Sequence, residues 1–128
     1  MAFSTSVDVA HETVLIRFHG TVTVQDFVRG REELDALPGW SPWFSHIFDL
    51  SSVSKIDLPT DALRSMATAP PMFDRKALQV LIAQPGTLSF GLARMFQTFG
   101  TAQRPNVHIV STLPEAYEII GRHPKGTR

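Results

Sequence analysis

The chain has 128 residues, twelve basic and twelve acidic side chains, and no cysteine. This length fits one domain with its own core, and the zero net charge argues against nucleic acid or an anionic membrane as a partner. The lack of cysteine excludes disulfides, thiolate metal sites and cysteine nucleophiles. Because the N-terminus has no basic leader and the chain has no apolar run of about 20 residues, we predict a cytoplasmic domain with no transmembrane segment.

Two strands and a helix are predicted at the start of the chain. Residues 3–10 alternate apolar and polar side chains, and residues 13–19 form a second strand-like run. The two runs are too close together for a crossover, so they should pair antiparallel and end at Gly20. Thr23 can then cap a helix over residues 24–37, because its hydroxyl can accept an early backbone N–H group.

An aromatic segment leads into the third predicted strand, residues 44–50. Trp40 and Trp43 precede this strand, and their rings either stack on a ligand or partner or cover the end of the sheet. The polar stretch that follows, residues 51–59, is predicted to be a loop at the rim of the sheet. In α/β folds, ligands bind at this rim.

The polar stretch supplies the predicted binding residues. Asp49 and Asp57 bracket it. These carboxylates either do acid–base work, if burial separates their pKa values, or accept hydrogen bonds from loop amides and set a turn, which we favour. Ser51 and Ser52 add hydroxyl groups, and Thr60 is predicted to cap the second helix.

Two more strand and helix units complete the pattern. Residues 76–83 are an apolar run typical of a strand that is covered on both faces. A third helix is predicted to begin at Thr87 or Ser89 and to end at Phe99, with Gly100 as its C-cap. Residues 106–110 form the last predicted strand, and the last helix opens at Thr112.

The third helix has more apolar residues than one buried stripe needs. Four of them are predicted to face the sheet: Leu88, Leu92, Met95 and Phe99. Phe90 or Phe96 is then left toward an edge, near Arg94. Together with Trp40 and Trp43, these residues form a predicted interaction surface.

The element order ββαβαβαβα predicts a single α/β domain over residues 1–121 and a flexible tail over residues 122–128. Crossovers between parallel strands are right-handed and usually join neighbours. We therefore expect four helices and a five-stranded mixed sheet in sequential order, with the first strand antiparallel.

The known catalytic and cofactor motifs are missing. The sequence has no nucleophile elbow, phosphate-binding loop or dinucleotide fingerprint. His19, His46 and His108 fall on predicted strands, but no two histidines are spaced three or four residues apart, as two metal ligands on one helix would be. We therefore predict no enzyme activity, no cofactor and no metal site.

Residues 48–57, Phe-Asp-Leu-Ser-Ser-Val-Ser-Lys-Ile-Asp, together with the helix that follows, resemble a STAS domain. This module is shared by anti-sigma factor antagonists and sulfate transporter tails. The resemblance implies the STAS fold, with the same ββαβαβαβα order. Residues 90–97 look like a divergent STAS-like branch that is related to lipid-binding domains of the CRAL-TRIO type. This branch consists largely of small bacterial proteins.

One position departs from the family pattern. In anti-sigma factor antagonists, a phosphorylated serine directly follows the second aspartate of the motif, whereas Leu58 follows Asp57 here. The resemblance therefore implies the fold but not a phosphorylation switch.

Three functions are compatible with these observations. The favoured one is a non-catalytic STAS-like interaction module that binds a protein partner or a second copy of itself as a homodimer. The alternative is a carrier or sensor of a small apolar or lipid-like ligand, with a cleft lined by Met66, Met72, Met95 and the phenylalanines of the third helix. An enzyme that uses Asp49 and Asp57 is the least favoured.

Overall fold

The computed structural model describes residues 3–122. Five strands form one sheet in sequential order: β1 (Phe3–Asp8), β2 (Thr13–Thr23), β3 (Ser45–Asp57), β4 (Gln79–Ile82) and β5 (Val107–Val110). Four helices accompany them in this part of the chain: α1 (Val24–Ala36), α2 (Thr60–Thr68), α3 (Leu88–Phe99) and α4 (Leu113–Arg122). Apart from Arg122, which ends α4, the predicted tail lies outside the described residues. Across residues 3–122, no helix has the length and apolar character needed to cross a membrane.

The predicted sheet topology is confirmed. β1 pairs antiparallel with β2, and β2 to β5 are parallel in sequential order. Because three right-handed crossovers progress in one direction, α1, α2 and α3 lie on the same face of the sheet. α4 covers the opposite face, where Ala116 packs with Ile47 and Val80. On the first face, Leu34 of α1 packs with Ile16.

β2 and β3 are longer than predicted, because they continue together past the rest of the sheet. β4 stops pairing with β3 at Asp49, yet β2 and β3 stay paired until Thr23 meets Asp57. The predicted loop over residues 51–59 is therefore wrong for most of its length. The predicted end of β2 at Gly20 is also wrong. Gly20 lies inside β2, between two shifts in the register of β2 and β3, and its φ is +69°. Pairing with β2 outweighs the low strand propensity of the serines.

The predicted N-cap of α1, Thr23, and the predicted C-cap of α3, Gly100, are confirmed. The Thr23 hydroxyl accepts a hydrogen bond from the backbone N–H of Asp26 at 3.3 Å, and the Asp26 carboxylate accepts the Thr23 N–H at 2.8 Å. This reciprocal pair is a capping box. The Thr87 hydroxyl accepts the Phe90 N–H at 3.1 Å, and Gly100 is the C-cap of α3.

Two predictions about α2 and α3 are wrong. Thr60 is the first residue of α2 rather than its cap, because the chain enters the helix at Pro59, which makes no side-chain cap. On α3, Leu88 is 74% exposed and Met95 is 37% exposed, whereas Phe90 and Phe96 are half-buried. The two buried residues of the helix have small side chains: Ser89 and Ala93. This seam lets α3 lie close to the sheet, so Phe90 and Phe96 flank the contact and pack against the core.

Candidate ligand cavity

The predicted rim residues do not form one site. Asp49 is buried and accepts hydrogen bonds from the backbone N–H and the hydroxyl of Ser51, at 3.0 and 2.6 Å. Its other carboxylate oxygen lies 3.7 Å from Nε of Arg17. Asp57 is exposed eight residues further along β3, about 25 Å away for an extended strand. Asp49 therefore stabilises β3 where its register with β2 shifts. The two carboxylates are too far apart to act on one substrate.

The remaining rim residues, Ser52 and Thr60, are exposed on β3 and at the start of α2. Ser52 lies opposite His19, where β2 and β3 have left the main sheet. Neither residue contacts the cavity described below. A ligand that bound at the rim would meet separate hydroxyl groups rather than a pocket.

The predicted interaction residues lie in two regions. Trp40 is half-buried, and its indole N–H donates to the carbonyl of Leu34 at 2.9 Å, so Trp40 covers the core as the second interpretation expected. Trp43 is 44% exposed beside the start of β3. Phe90 lies past the end of β4, which runs parallel to β3, so it is at the opposite end of the sheet. The structure does not bring these aromatic residues together.

Arg94 and Phe96 lie on different sides of α3. Arg94 is exposed, whereas Phe96 is half-buried against the sheet and faces the space between α3 and the other helices. Phe96 is thus the member of the predicted surface that contributes to a pocket.

The histidines on the strands also stay apart. His19 lies opposite Ser52, His46 opposite Gln79 and His108 opposite Val80. Within residues 3–122, no cluster of three or more histidine, aspartate or glutamate side chains is arranged to hold a metal ion.

A cavity of about 330 Å³ lies on the sheet between α1 and α2. α2 packs against α3, whereas α1 lies over β1 and β2, and the space between the two helix groups is left open. The wall is mainly apolar and includes rings and thioethers from the sheet, the helices and the connection after α2: Phe18, Phe27, Phe48, Met66, Met72 and Phe96. Met66 and Met72 line a cleft, as the carrier hypothesis predicted, but Met95 is on the outer side of α3.

Two neighbouring polar residues border this apolar cavity. His46 of β3 and Gln79 of β4 are paired in register and are 5% and 2% exposed. Nδ1 of His46 and Oε1 of Gln79 are buried and have no hydrogen-bond partner among the described residues. A polar group in this position costs about 1–3 kcal/mol unless a partner is supplied.

The imidazole of His46 is held in its neutral form. Its ring stacks on Phe73 with 3.8 Å between the centroids. Burial is the largest cause and lowers the pKa of His46 to about 3; the Phe44 backbone opposes this shift, the positive charge of Arg104 adds to it, and the Gln79 side chain opposes it least. Near neutral pH, the cavity is therefore bordered by an uncharged imidazole.

Two arginines border the same cavity. Arg104 uses one nitrogen, Nη1, to donate to the carbonyls of Ala67 and Ala69 at 2.6 and 3.0 Å, which caps the C-terminal end of α2. Its guanidinium lies over the ring of Phe96, 5.3 Å from the centroid. Burial lowers the pKa of Arg104, and the nearby charge of Arg31 lowers it further.

Among residues 3–122, no acidic residue lines the cavity. In the part of the chain that the structure describes, neither Arg31 nor Arg104 forms an ion pair. Arg31 is exposed on α1 at the entrance. The mainly apolar cavity is therefore bordered by two positive charges without a counter-ion from the described residues.

The sequence contained a signal for part of this site. Gln79 lies within an apolar run of strand length, and His46 lies within another. A polar residue in a strand that is buried on both faces needs a partner, so each position was unusual. Arg31 and Arg104 had no such signal, because they are separated in sequence and meet only when α1 and the connection after α3 are placed on the sheet.

No protein-family model matches the chain, and no curated protein matches it.

Proposed function

We propose that this domain is a non-catalytic carrier or sensor that binds a small, mainly apolar ligand in the cavity between α1 and α2. The observation that carries the proposal is the 330 Å³ space itself, walled by aromatic, methionine and aliphatic side chains. Ligand pockets in proteins usually have about 300–1,000 Å³, so this volume suits a small ligand. Protein cores are close-packed, and an open space of this size gives up dispersion contacts that a ligand restores.

The polar residues beside the cavity support the same proposal. His46 and Gln79 each have an unpartnered polar atom next to the apolar wall. Ligand sites typically combine an apolar lining with a few polar groups that orient the ligand. His46 and Gln79 are such groups in this cavity, although their two unpartnered atoms lie beneath its surface.

A STAS-like interaction module is the second candidate function. The matching ββαβαβαβα order and sheet topology favour it, as does the apolar outer side of α3, where Leu88 and Met95 are exposed seven residues apart on one face. The protein partner and the homodimer stay predictions. The cavity supports ligand binding more directly than this small apolar patch supports association.

The proposal is tested by binding of a neutral apolar fluorophore, N-phenyl-1-naphthylamine, to the wild-type chain and to two variants. Ser65→Phe places a ring at a position that lines the cavity, whereas Thr68→Phe, the matched control, adds the same ring to the same helix away from the cavity. We expect wild type and Thr68→Phe to bind with similar affinity. Ser65→Phe should bind at least about tenfold more weakly, which corresponds to about 1.4 kcal/mol.

Circular dichroism of both variants shows whether they are folded. Saturable binding that only Ser65→Phe weakens supports the proposal. Equal binding by all three proteins, or no saturable binding by wild type, contradicts it.

A further inference from the structure

We propose that the ligand is an amphiphile with a single anionic head group, bound with its apolar body in the cavity and its head between Arg31 and Arg104. This inference rests on the proposed function and adds the chemical class of the ligand. The shared chemistry is a carboxylate or a phosphate monoester on an apolar chain.

The charges at the cavity carry the argument. Arg31 and Arg104 border the same space, no carboxylate lines it, and neither guanidinium has an ion-pair partner among residues 3–122. Two like charges next to an apolar wall repel each other; burial first, and then the charge of Arg31, lower the pKa of Arg104. An anion between them removes the repulsion and forms charge-assisted hydrogen bonds.

The hydrogen bonds of Arg104 leave donors available for such a head group. Only Nη1 is used to cap α2, although a guanidinium offers five N–H donors in a fixed plane. Neutral His46 and Gln79 also line the cavity and add no charge to it. The cap of α2 explains why Arg104 is present, but it does not require a second cation at Arg31.

The rest of the cavity suits a short apolar chain. Away from the arginines, the wall consists mainly of side chains such as Phe27, Phe48 and Met66. The volume of about 330 Å³ is at the lower end of the range for ligand sites, so a single chain of medium length fits better than a lipid with two chains.

The experiment measures dissociation constants of three ligands with the same ten-carbon chain: decanoate, decyl phosphate and decanol. Titration calorimetry at low ionic strength and neutral pH should give binding of decanoate or decyl phosphate about tenfold or more tighter than binding of decanol, since hydrogen bonds to a charged group are stronger than those to a neutral one. The two anions distinguish a carboxylate from a phosphate site. Raising the salt concentration should weaken binding of the anions but not of decanol.

Arg31→Gln tests the head-group site without disturbing the cap of α2. Because Arg31 is exposed, we expect a loss of about threefold in affinity for the preferred anion and no change for decanol. Arg31→Lys should restore most of the loss. Arg29→Gln is the matched control, since Arg29 is exposed on the same helix and does not line the cavity.

The outcomes separate this inference from the proposed function. If decanol binds as tightly as both anions, or if Arg31→Gln and Arg29→Gln behave alike, the anionic head group is wrong but the apolar cavity remains a ligand site. If none of the three compounds binds and the neutral fluorophore also fails, both proposals fall.

Discussion

At the scale of single residues, His46 shows how burial changes chemistry. The unfolded chain protonates this imidazole near its ordinary pKa of 6.5, whereas the folded chain resists protonation until about pH 3. Between these two pH values the unfolded state binds more protons than the folded state. The free energy of unfolding therefore decreases as the pH falls through this range. The expected slope is about 1.4 kcal/mol per pH unit within this window.

His46→Phe should reduce this pH dependence, because phenylalanine keeps a ring against Phe73 but does not titrate. Between pH 7 and pH 5, we expect wild type to lose about 2 kcal/mol more unfolding free energy than the variant. Urea denaturation at the two pH values measures the difference. His108→Phe changes an exposed histidine on β5 and should leave the wild-type slope unaltered. A His46→Phe protein with the wild-type slope would show that His46 is not buried in its neutral form.

Local chemistry decided which residue-level predictions were correct. Thr23 and Gly100 were predicted as caps because a cap depends only on a few neighbouring residues, and both hold the expected positions. Thr60 met the same local criteria, but the chain turns into α2 at Pro59. The pairing of His46 with Gln79 depends on the register of two strands, which no local pattern specifies.

At the scale of elements, the contact between α2 and α3 depends on Gly100. A Cβ atom at this position would lie 2.8 Å from the carbonyl oxygen of Ala67 and 3.1 Å from that of Phe96. Both neighbours are backbone atoms that cannot move without shifting a helix.

Gly100→Ala should therefore destabilise the domain by about 1–3 kcal/mol, as overpacking usually does. Gly91→Ala makes the same change inside α3 at an exposed position where the added Cβ meets no atom within 4 Å. It should stabilise by about 0.5–1 kcal/mol because alanine favours helix. Thermal and urea unfolding of the two variants show whether each substitution raises or lowers the free energy of unfolding. A stabilising Gly100→Ala would contradict the close approach of α2 to α3.

The extension of β2 and β3 shows where element prediction fails. Serine-rich residues 51–54 read as a loop, because serine favours turns over strands. They form a strand because β2 continues through Gly20 and pairs with them. Two register shifts accommodate the extra residues of β3 in this region. A partner strand from another part of the chain therefore overrides the local preference.

At the scale of the whole molecule, topology was predictable, whereas the position and size of the cavity were not. The order of strands and helices, together with right-handed crossovers between neighbours, is enough to arrange the five strands. The same pattern does not say how far apart α1 and α2 lie on the sheet. That spacing depends on how α2 packs on α3 and how α1 packs on β1 and β2, and it creates the space that His46, Gln79, Arg31 and Arg104 border.

The most direct test of a ligand site between α1 and α2 is a map of amide chemical shifts in ¹⁵N-labelled protein titrated with N-phenyl-1-naphthylamine. The aromatic rings of this probe shift nearby amides strongly. We predict that the largest changes fall on α1, α2 and the strand positions of His46 and Gln79, and that α4 on the opposite face is unaffected. Changes centred on α4 or on the outer side of α3, or no saturable changes at all, would contradict a ligand site in this cavity.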